Sequence, residues 1–314
     1  MTEDGVTPDQ AAEILRDAVL GAQVVGIERM VGGAVSGAYE VLCADPEQNV
    51  VLKVYAPDSG WILSKEISVY RSVRESGVTM VPTLLGAAGS DGLLGQPYLL
   101  MSKLPGRTMD AVSPGMSDAD LRSVYRQMGK LIAQFHAIEH EAYGYLTSTE
   151  IVDPQPSSEA HLRSVLARTS QAYLEATGDR DLYEAAHAYL AARSDLFALC
   201  ERPVLLHNDF HEGNIIVEQT PDGPVISGVI DMENATAGDP VMDLAKTHSY
   251  SIRDNAIKLE GLFEGYGVIP VEWERRFRLY QVVHLFELWQ FFYGREPGTP
   301  EKIAEDLRTL ITAG

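Results

Sequence analysis

Ile14, Leu15, Ala18 and Val19 recur at the spacing of one helix face, and Thr7-Pro8-Asp9-Gln10 stands in front of them. A capping Thr, a Pro at the first helical position and a Gln three residues after the cap predict a helix start here. The pattern then shortens into apolar runs. Residues 24–31 and 38–43 read as strands joined by a Gly-rich turn, and residues 50–55, Val-Val-Leu-Lys-Val-Tyr, as a third strand behind Asp45-Pro46-Glu47-Gln48-Asn49. A helix is expected over 64–76 with Gly77 as its C-terminal cap. Strands at 83–88 and 97–101 flank the turn Gly89-Ser90-Asp91-Gly92.

After Leu104-Pro105-Gly106 the periodicity becomes helical, from 117 through 136 and again over 157–199. A hairpin interrupts it, with strands at 214–218 and 225–231 around Pro221-Asp222-Gly223-Pro224, and helices return to the C-terminus. No internal repeat and no low-complexity tract is visible. A β-rich first third, a short hinge and a helical remainder predict an α+β chain of two lobes. The expected division is an N-terminal lobe over 1–101, a hinge over 102–106 and a mainly helical C-terminal lobe over 107–314.

Length and composition describe an ordinary globular chain: 314 residues, 45% apolar and 22% charged. The charge is lopsided, with 45 Asp and Glu against 25 Lys and Arg, a formal net of −20. Such a field repels nucleic acid and anionic membrane and attracts cationic small molecules. A general solubility bias would leave the same composition. Cys43 and Cys200 have no metal-ligand spacing, the N-terminus is acidic where a signal peptide would be basic, and no apolar run reaches membrane-spanning length. A cytoplasmic protein is expected.

The densest chemistry is His207-Asn208-Asp209-Phe210-His211-Glu212-Gly213-Asn214, followed by Val229-Ile230-Asp231. Phosphoryl transfer requires a carboxylate at the acceptor hydroxyl and an Asn/Asp pair to hold Mg²⁺ on the phosphates. Upstream, the glycines of Val31-Gly32-Gly33-Ala34-Val35-Ser36-Gly37 would let backbone N–H groups close over phosphate oxygens, with Ser36 adding a hydroxyl. The same run also reads as a plain hairpin turn, and it lacks the Gly-Lys-Ser/Thr of a Walker loop. Lys53, inside an apolar strand, is either an edge residue or a phosphate contact positioned by Glu66. His207 follows three apolar residues and reads as a loop brace; His211 is a surface residue, a brace or a substrate contact. Asp239 in Gly238-Asp239-Pro240 is placed to cap the next helix. The aromatic stripe over 286–293 reads as core.

The order of these parts resembles the aminoglycoside phosphotransferase family, relatives of the protein kinases with a bilobal fold. The likeness runs from about residue 24 to 295 and includes Pro97-Tyr98-Leu99-Leu100-Met101-Ser102-Lys103-Leu104-Pro105-Gly106, Leu131 to His136 and Gly238-Asp239-Pro240-Val241-Met242-Asp243-Leu244-Ala245. It implies Asp209 as the catalytic Asp, Asn214 and Asp231 as Mg²⁺ ligands, and Lys53 with Glu66 on the phosphates. It further implies Gly32, Gly33, Ser36 and Gly37 as a nucleotide loop, and backbone groups of Ser102, Lys103 and Leu104 on a purine. Asn208, Phe210 and Glu212 stand where the family usually has Gly, Leu and often Pro. Asn tolerates the left-handed conformation that Gly would adopt. The altered hinge leaves ATP and GTP both open as donor. Glu212 and Glu233 are candidate contacts for a cationic acceptor. The expected activity is Mg²⁺-dependent O-phosphorylation of an aminoglycoside-type antibiotic. A metabolic kinase for choline, homoserine or a sugar, and a nucleotide-binding pseudokinase, are the rivals.

Overall fold

The computed structural model describes residues 5–18, 21–30, 36–44 and 49–313. Helix α1 (Pro8–Asp17) opens on the expected box: the Thr7 hydroxyl accepts from the Gln10 N–H, and the Gln10 side chain accepts from the Thr7 N–H at 3.0 Å. Strands β1 (Val24–Arg29), β2 (Gly37–Cys43) and β3 (Val50–Val54) pair antiparallel in that order. Helix α2 (Gly60–Glu75) starts before the expected Ser64. The Ser64 hydroxyl donates back to the Gly60 carbonyl at 3.0 Å, so this serine is a satisfied interior residue rather than a start. The helix ends before Gly77, whose φ of +89° matches the capping role read from sequence. Strands β4 (Leu84–Ala88) and β5 (Tyr98–Ser102) complete a sheet of order β1-β2-β3-β5-β4.

The short β6 (Arg107–Thr108) and α3 (Met109–Val112) come next, then α4 (Asp118–Phe135), β7 (Tyr143–Leu146), β8 (Ile151–Gln155), α5 (Ser158–Thr177), α6 (Arg180–Ala191) and β9 (Val204–Leu206). The hairpin is β10 (Ile215–Thr220) and β11 (Gly223–Val229), turned by Pro221-Asp222 alone. The four-residue turn expected from sequence is too long, because Gly223 and Pro224 already pair with Thr220 and Gln219. Strand β12 (Thr236–Gly238), helix α7 (Pro240–Thr247), a π-helical turn (His248–Ile252), α8 (Ala256–Tyr266), α9 (Trp273–Phe292) and α10 (Thr299–Thr312) finish the chain.

Two compact units result. The first holds Met1–Pro114, Thr147–Glu150 and Gly213–Glu233; the second holds Gly115–Leu146, Ile151–Glu212 and Asn234–Gly314. The chain is therefore not divided by one cut at 102–106. The β10–β11 hairpin joins the N-terminal residues because β6 pairs with β10 and the Val229 N–H donates to the Met80 carbonyl at 3.0 Å.

Within the first unit the apolar stripe of α1, Ile14 and Leu15, packs on Val41, Val50, Leu52 and Leu100 of the sheet. Side chains alternate along a strand, so Lys53 points away from that cluster. In the second unit, strands are ordered β8-β7-β12-β9. Helices α4 and α8 approach at glycines: a Cβ on Gly261 would lie 2.7 Å from the Arg122 carbonyl oxygen, and one on Gly129 would lie 2.6 Å from the Tyr266 nitrogen. Phe286 and Trp289 are core as expected, whereas Tyr293 at the end of the same stripe is 53% exposed. Among the described residues no helix is long and apolar enough to cross a membrane.

Candidate active site

In the first unit the side chains converge on Lys53. Its ammonium donates to Glu66 Oε2 at 2.8 Å, to Asp231 Oδ1 at 2.8 Å and to Glu233 Oε2 at 2.9 Å. Lys53 is 7% exposed and Glu66 fully buried. Burial works against the charge, but the three carboxylates hold the Lys53 ammonium well above its ordinary value. Glu66 also accepts from the Tyr55 hydroxyl at 2.5 Å, and Tyr70 accepts from the Asp231 N–H at 3.1 Å. Asp231 sits at φ +71°, a left-handed conformation that turns its carboxylate back at the end of β11. Lys65, buried next to Glu66, is pushed down to about 7 by burial against the pull of Glu233 and Glu66. Burial raises Glu233, Lys53 draws it down, and the charges of Asp231 and Glu66 help to keep it above the usual carboxylate range.

Asn214 stands at the entrance to β10, buried, with its carbonyl accepting from the Ile230 N–H at 3.0 Å. It therefore lies opposite Ile230, the residue before Asp231, at the open end of the hairpin. Carboxylate oxygens of Glu66, Asp231 and Glu233 lie within 4.8 Å of one another. Hard oxygen donors of this kind suit a magnesium ion.

Other positions expected at the nucleotide divide three ways. Gly32 and Gly33 lie outside the described residues. Gly37 opens β2 opposite Val54, which places it and Ser36 beside the Lys53 strand. Ser102 is less open than the resemblance implies, since its N–H donates to the Thr83 carbonyl at 2.9 Å and its hydroxyl accepts from the Thr83 N–H at 2.8 Å. Lys103 pairs with Glu40 at 2.6 Å, and Leu104 packs over Gly228.

In the second unit, helix α7 grips the loop that carries Asp209. Asp243 accepts from the His207 N–H at 2.8 Å and the Asn208 N–H at 2.7 Å, Lys246 donates to the Asn208 carbonyl at 3.2 Å, and the Thr247 hydroxyl donates to the Phe210 carbonyl at 2.7 Å. These three residues share one helix face, at spacings of three and four. Asn208 has φ +62°, the conformation that explains Asn in place of Gly. The fully buried His207 stacks on Phe135 and meets Phe210 edge-on, the bracing role read from sequence. His211 Nε2 lies 3.5 Å from Asp209 Oδ1. Burial raises the Asp209 carboxyl, but the hydrogen bond and charge of His211, with His207 and Lys246, bring it down to about 2.

Two expected acceptor carboxylates have other partners. Glu212 accepts from Tyr125 at 2.8 Å and from Lys258 at 2.9 Å, and Glu233 is bound to Lys53. Asp239 caps α7 through the Val241 N–H at 2.9 Å, and it also accepts from Arg276 at 2.5 Å and from Tyr280. Lys246, Thr247, Tyr55 and Tyr70 escaped the sequence reading. Asp243, Lys246 and Thr247 did carry a signal, three polar residues on one face of a short apolar helix.

Residues 30–280 match the profile of a family described as the phosphotransferase enzyme family. Viomycin phosphotransferase of Streptomyces vinaceus is 25% identical over 232 residues, 72% of this chain and 74% of its own length. Acyl-CoA dehydrogenase family member 10 of Mus musculus is 26% identical over 188 residues, 60% of this chain but 16% of the mouse protein. Among solved structures, a thermostable mutant of aminoglycoside phosphotransferase APH(4)-Ia with AMP-PNP and hygromycin B superposes with a TM-score of 0.71 at 15% identity, covering 93% of this chain and 95% of that one. A putative fructosamine-3-kinase from Haemophilus somnus reaches a TM-score of 0.66 at 17% identity, covering 98% and 97%. The fold is thus that of the protein-kinase-like phosphotransferases.

Proposed function

The chain belongs to the phosphotransferase enzyme family, and on that footing we propose that it transfers the γ-phosphoryl group of ATP or GTP to a hydroxyl of a small molecule. The observation that carries this reading is the buried Lys53 ammonium, held at once by Glu66 and by Asp231. A lysine fixed by two carboxylates on separate elements is a positioned phosphate contact rather than an edge residue.

Asp209 is the acceptor-side carboxylate. At about 2 it is a weak base, so its work is to orient the hydroxyl rather than to remove its proton early. As the acceptor oxygen–phosphorus bond forms, the bond from phosphorus to the β,γ-bridging oxygen breaks. The nucleoside diphosphate leaves with that electron pair, and the hydroxyl proton passes to Asp209 late in the transfer. Asn214 and Asp231 would hold Mg²⁺, whose charge would offset that of the phosphates. Lys53 binds non-bridging oxygens, with Glu66 keeping it in place.

An aminoglycoside-type antibiotic is the acceptor class to try first, following the relatives named for viomycin and hygromycin B. A metabolite of the sugar-amine kind is the second reading. It is favoured by the pairing of Glu212 with Lys258 and of Glu233 with Lys53, which leaves neither as a dedicated cation anchor. We place the protein in the cytoplasm, where nucleoside triphosphates are present and Cys43 and Cys200 stay free thiols.

The test is nucleoside-diphosphate release with Mg²⁺ and ATP or GTP over aminoglycosides, viomycin, choline and sugar amines, with Asp209→Ala as blank. Turnover on one acceptor, lost by about 10³-fold or more in the variant, supports the mechanism. Turnover that persists in Asp209→Ala removes it. Nucleotide binding without turnover on any acceptor supports the pseudokinase reading.

A further inference from the structure

We infer that Lys246 is a positioning residue for Asp209: it fixes the peptide between Asn208 and Asp209 and brings a positive charge to the loop that carries the acceptor carboxylate. The inference rests on the kinase reading above but concerns a residue which that reading does not use.

Lys246 sits on the last turn of α7, 8% exposed, and donates to the Asn208 carbonyl at 3.2 Å. That carbonyl belongs to a residue held at φ +62°, directly before Asp209. Asn adopts that conformation readily, and three groups fix it here: Asp243 on its N–H, Lys246 on its C=O, and the Asn234 carbonyl, which accepts from its side-chain amide at 3.1 Å. A buried ammonium also needs a carboxylate. Glu287 of α9 provides one at 3.6 Å, and is itself met by His284 at 3.4 Å. His284 in turn binds the Tyr250 hydroxyl at 2.7 Å, and the Tyr250 ring lies 5.5 Å from that of His211, the imidazole beside Asp209. A closed path of contacts thus runs from Lys246 around Asp209. Besides the imidazoles of His211 and His207, the Lys246 ammonium bears on Asp209. Its direct hold on the loop backbone sets it apart from a lysine that merely solvates a helix end.

The experiment compares Lys246→Met and Lys246→Arg with wild type on whichever acceptor the wild type uses. Lys246→Met should lower kcat by about 10- to 100-fold while the KM for nucleotide stays within about threefold. The acid limb of its kcat profile should move to higher pH. Lys246→Arg keeps the charge and should recover most of kcat with an unmoved acid limb. Nucleotide affinity of each variant reports that the protein is folded. An Arg variant as impaired as the Met variant, or an acid limb that stays put in Lys246→Met, overturns the inference. If wild type transfers phosphate to no acceptor, the kinase reading fails by itself. The ¹³C carboxyl resonance of Asp209 then decides separately: its midpoint, about 2 in wild type, should rise in Lys246→Met and stay in place in Lys246→Arg.

Discussion

Lys53 and Lys65 show how one cluster of carboxylates treats two lysines in opposite ways. Lys53 touches three of them, so removing its charge leaves Glu66, Asp231 and Glu233 without their shared cation. Lys53→Met should destabilise the first unit by about 3–5 kcal/mol. Amide exchange of β3 and its neighbours would measure this, and the loss should shrink as pH falls, because Glu233, already raised by burial, takes up a proton above the usual carboxylate range. Lys65 is the reverse case. Folded, it titrates near 7, against an ordinary 10.5. Between those values the unfolded chain binds a proton that the folded chain lacks, so this residue makes stability rise with pH across the window. Below pH 7 it leaves a constant penalty, on the order of 3–5 kcal/mol. Lys65→Met should therefore raise stability at pH 7 and flatten the rise toward pH 10. Urea unfolding at pH 7 and pH 9.5 checks both, and a variant less stable at pH 7 would show that the ammonium is a needed partner of Glu233. Lys53 and Glu66 were legible in the sequence because a lysine in an apolar strand asks for a partner. Lys65 was not, because an adjacent Lys-Glu pair on a helix looks the same exposed or buried.

The elements followed their periodicity wherever one face is apolar and the other is not. Helix α1, the strands of the first sheet and the β10–β11 hairpin lie where the pattern of turns and apolar runs put them. The two- to five-residue strands β6, β7, β8 and β12 did not announce themselves, since so short a run holds too few alternations to distinguish from loop. Helix packing was equally silent. Gly261 and Gly265 of α8 look like weak points of a helix, yet they are where the backbone of α4 comes close. A methyl on Gly265 would overlap the Arg126 carbonyl. Gly265→Ala gains about 1 kcal/mol of helix propensity but should lose more by forcing the helices apart, a net loss of about 2 kcal/mol. Lys258, near the start of α8, holds Glu212 in the Asp209 loop. The same substitution should then lower kcat while leaving nucleotide affinity unchanged. Thermal melting and steady-state kinetics would separate the two effects, and unchanged kcat would mean that the Lys258–Glu212 pair tolerates the shift.

At the scale of the whole chain, the net charge of −20 and the local charge at Asp209 pull toward different acceptors. A field of that size concentrates cations near the surface and speeds their encounter, and it fades as added salt shortens the Debye length from about 10 Å at 0.1 M to about 3 Å at 1 M. Around Lys246, by contrast, burial raises the Glu287 carboxyl, but Lys246, His284 and Arg168 counter it and bring it down to about 2. Steering acts on the rate of approach, while the groups at the reacting hydroxyl decide what is kept. The two contributions separate in a salt series. For a polycationic acceptor, kcat/KM should fall by about tenfold between about 20 mM and 500 mM NaCl, whereas a neutral hydroxylated acceptor should change by less than about twofold. A polycation whose kcat/KM is indifferent to salt would mean that the acidic surface serves solubility alone, and that acceptor choice lies with the balanced groups around Asp209.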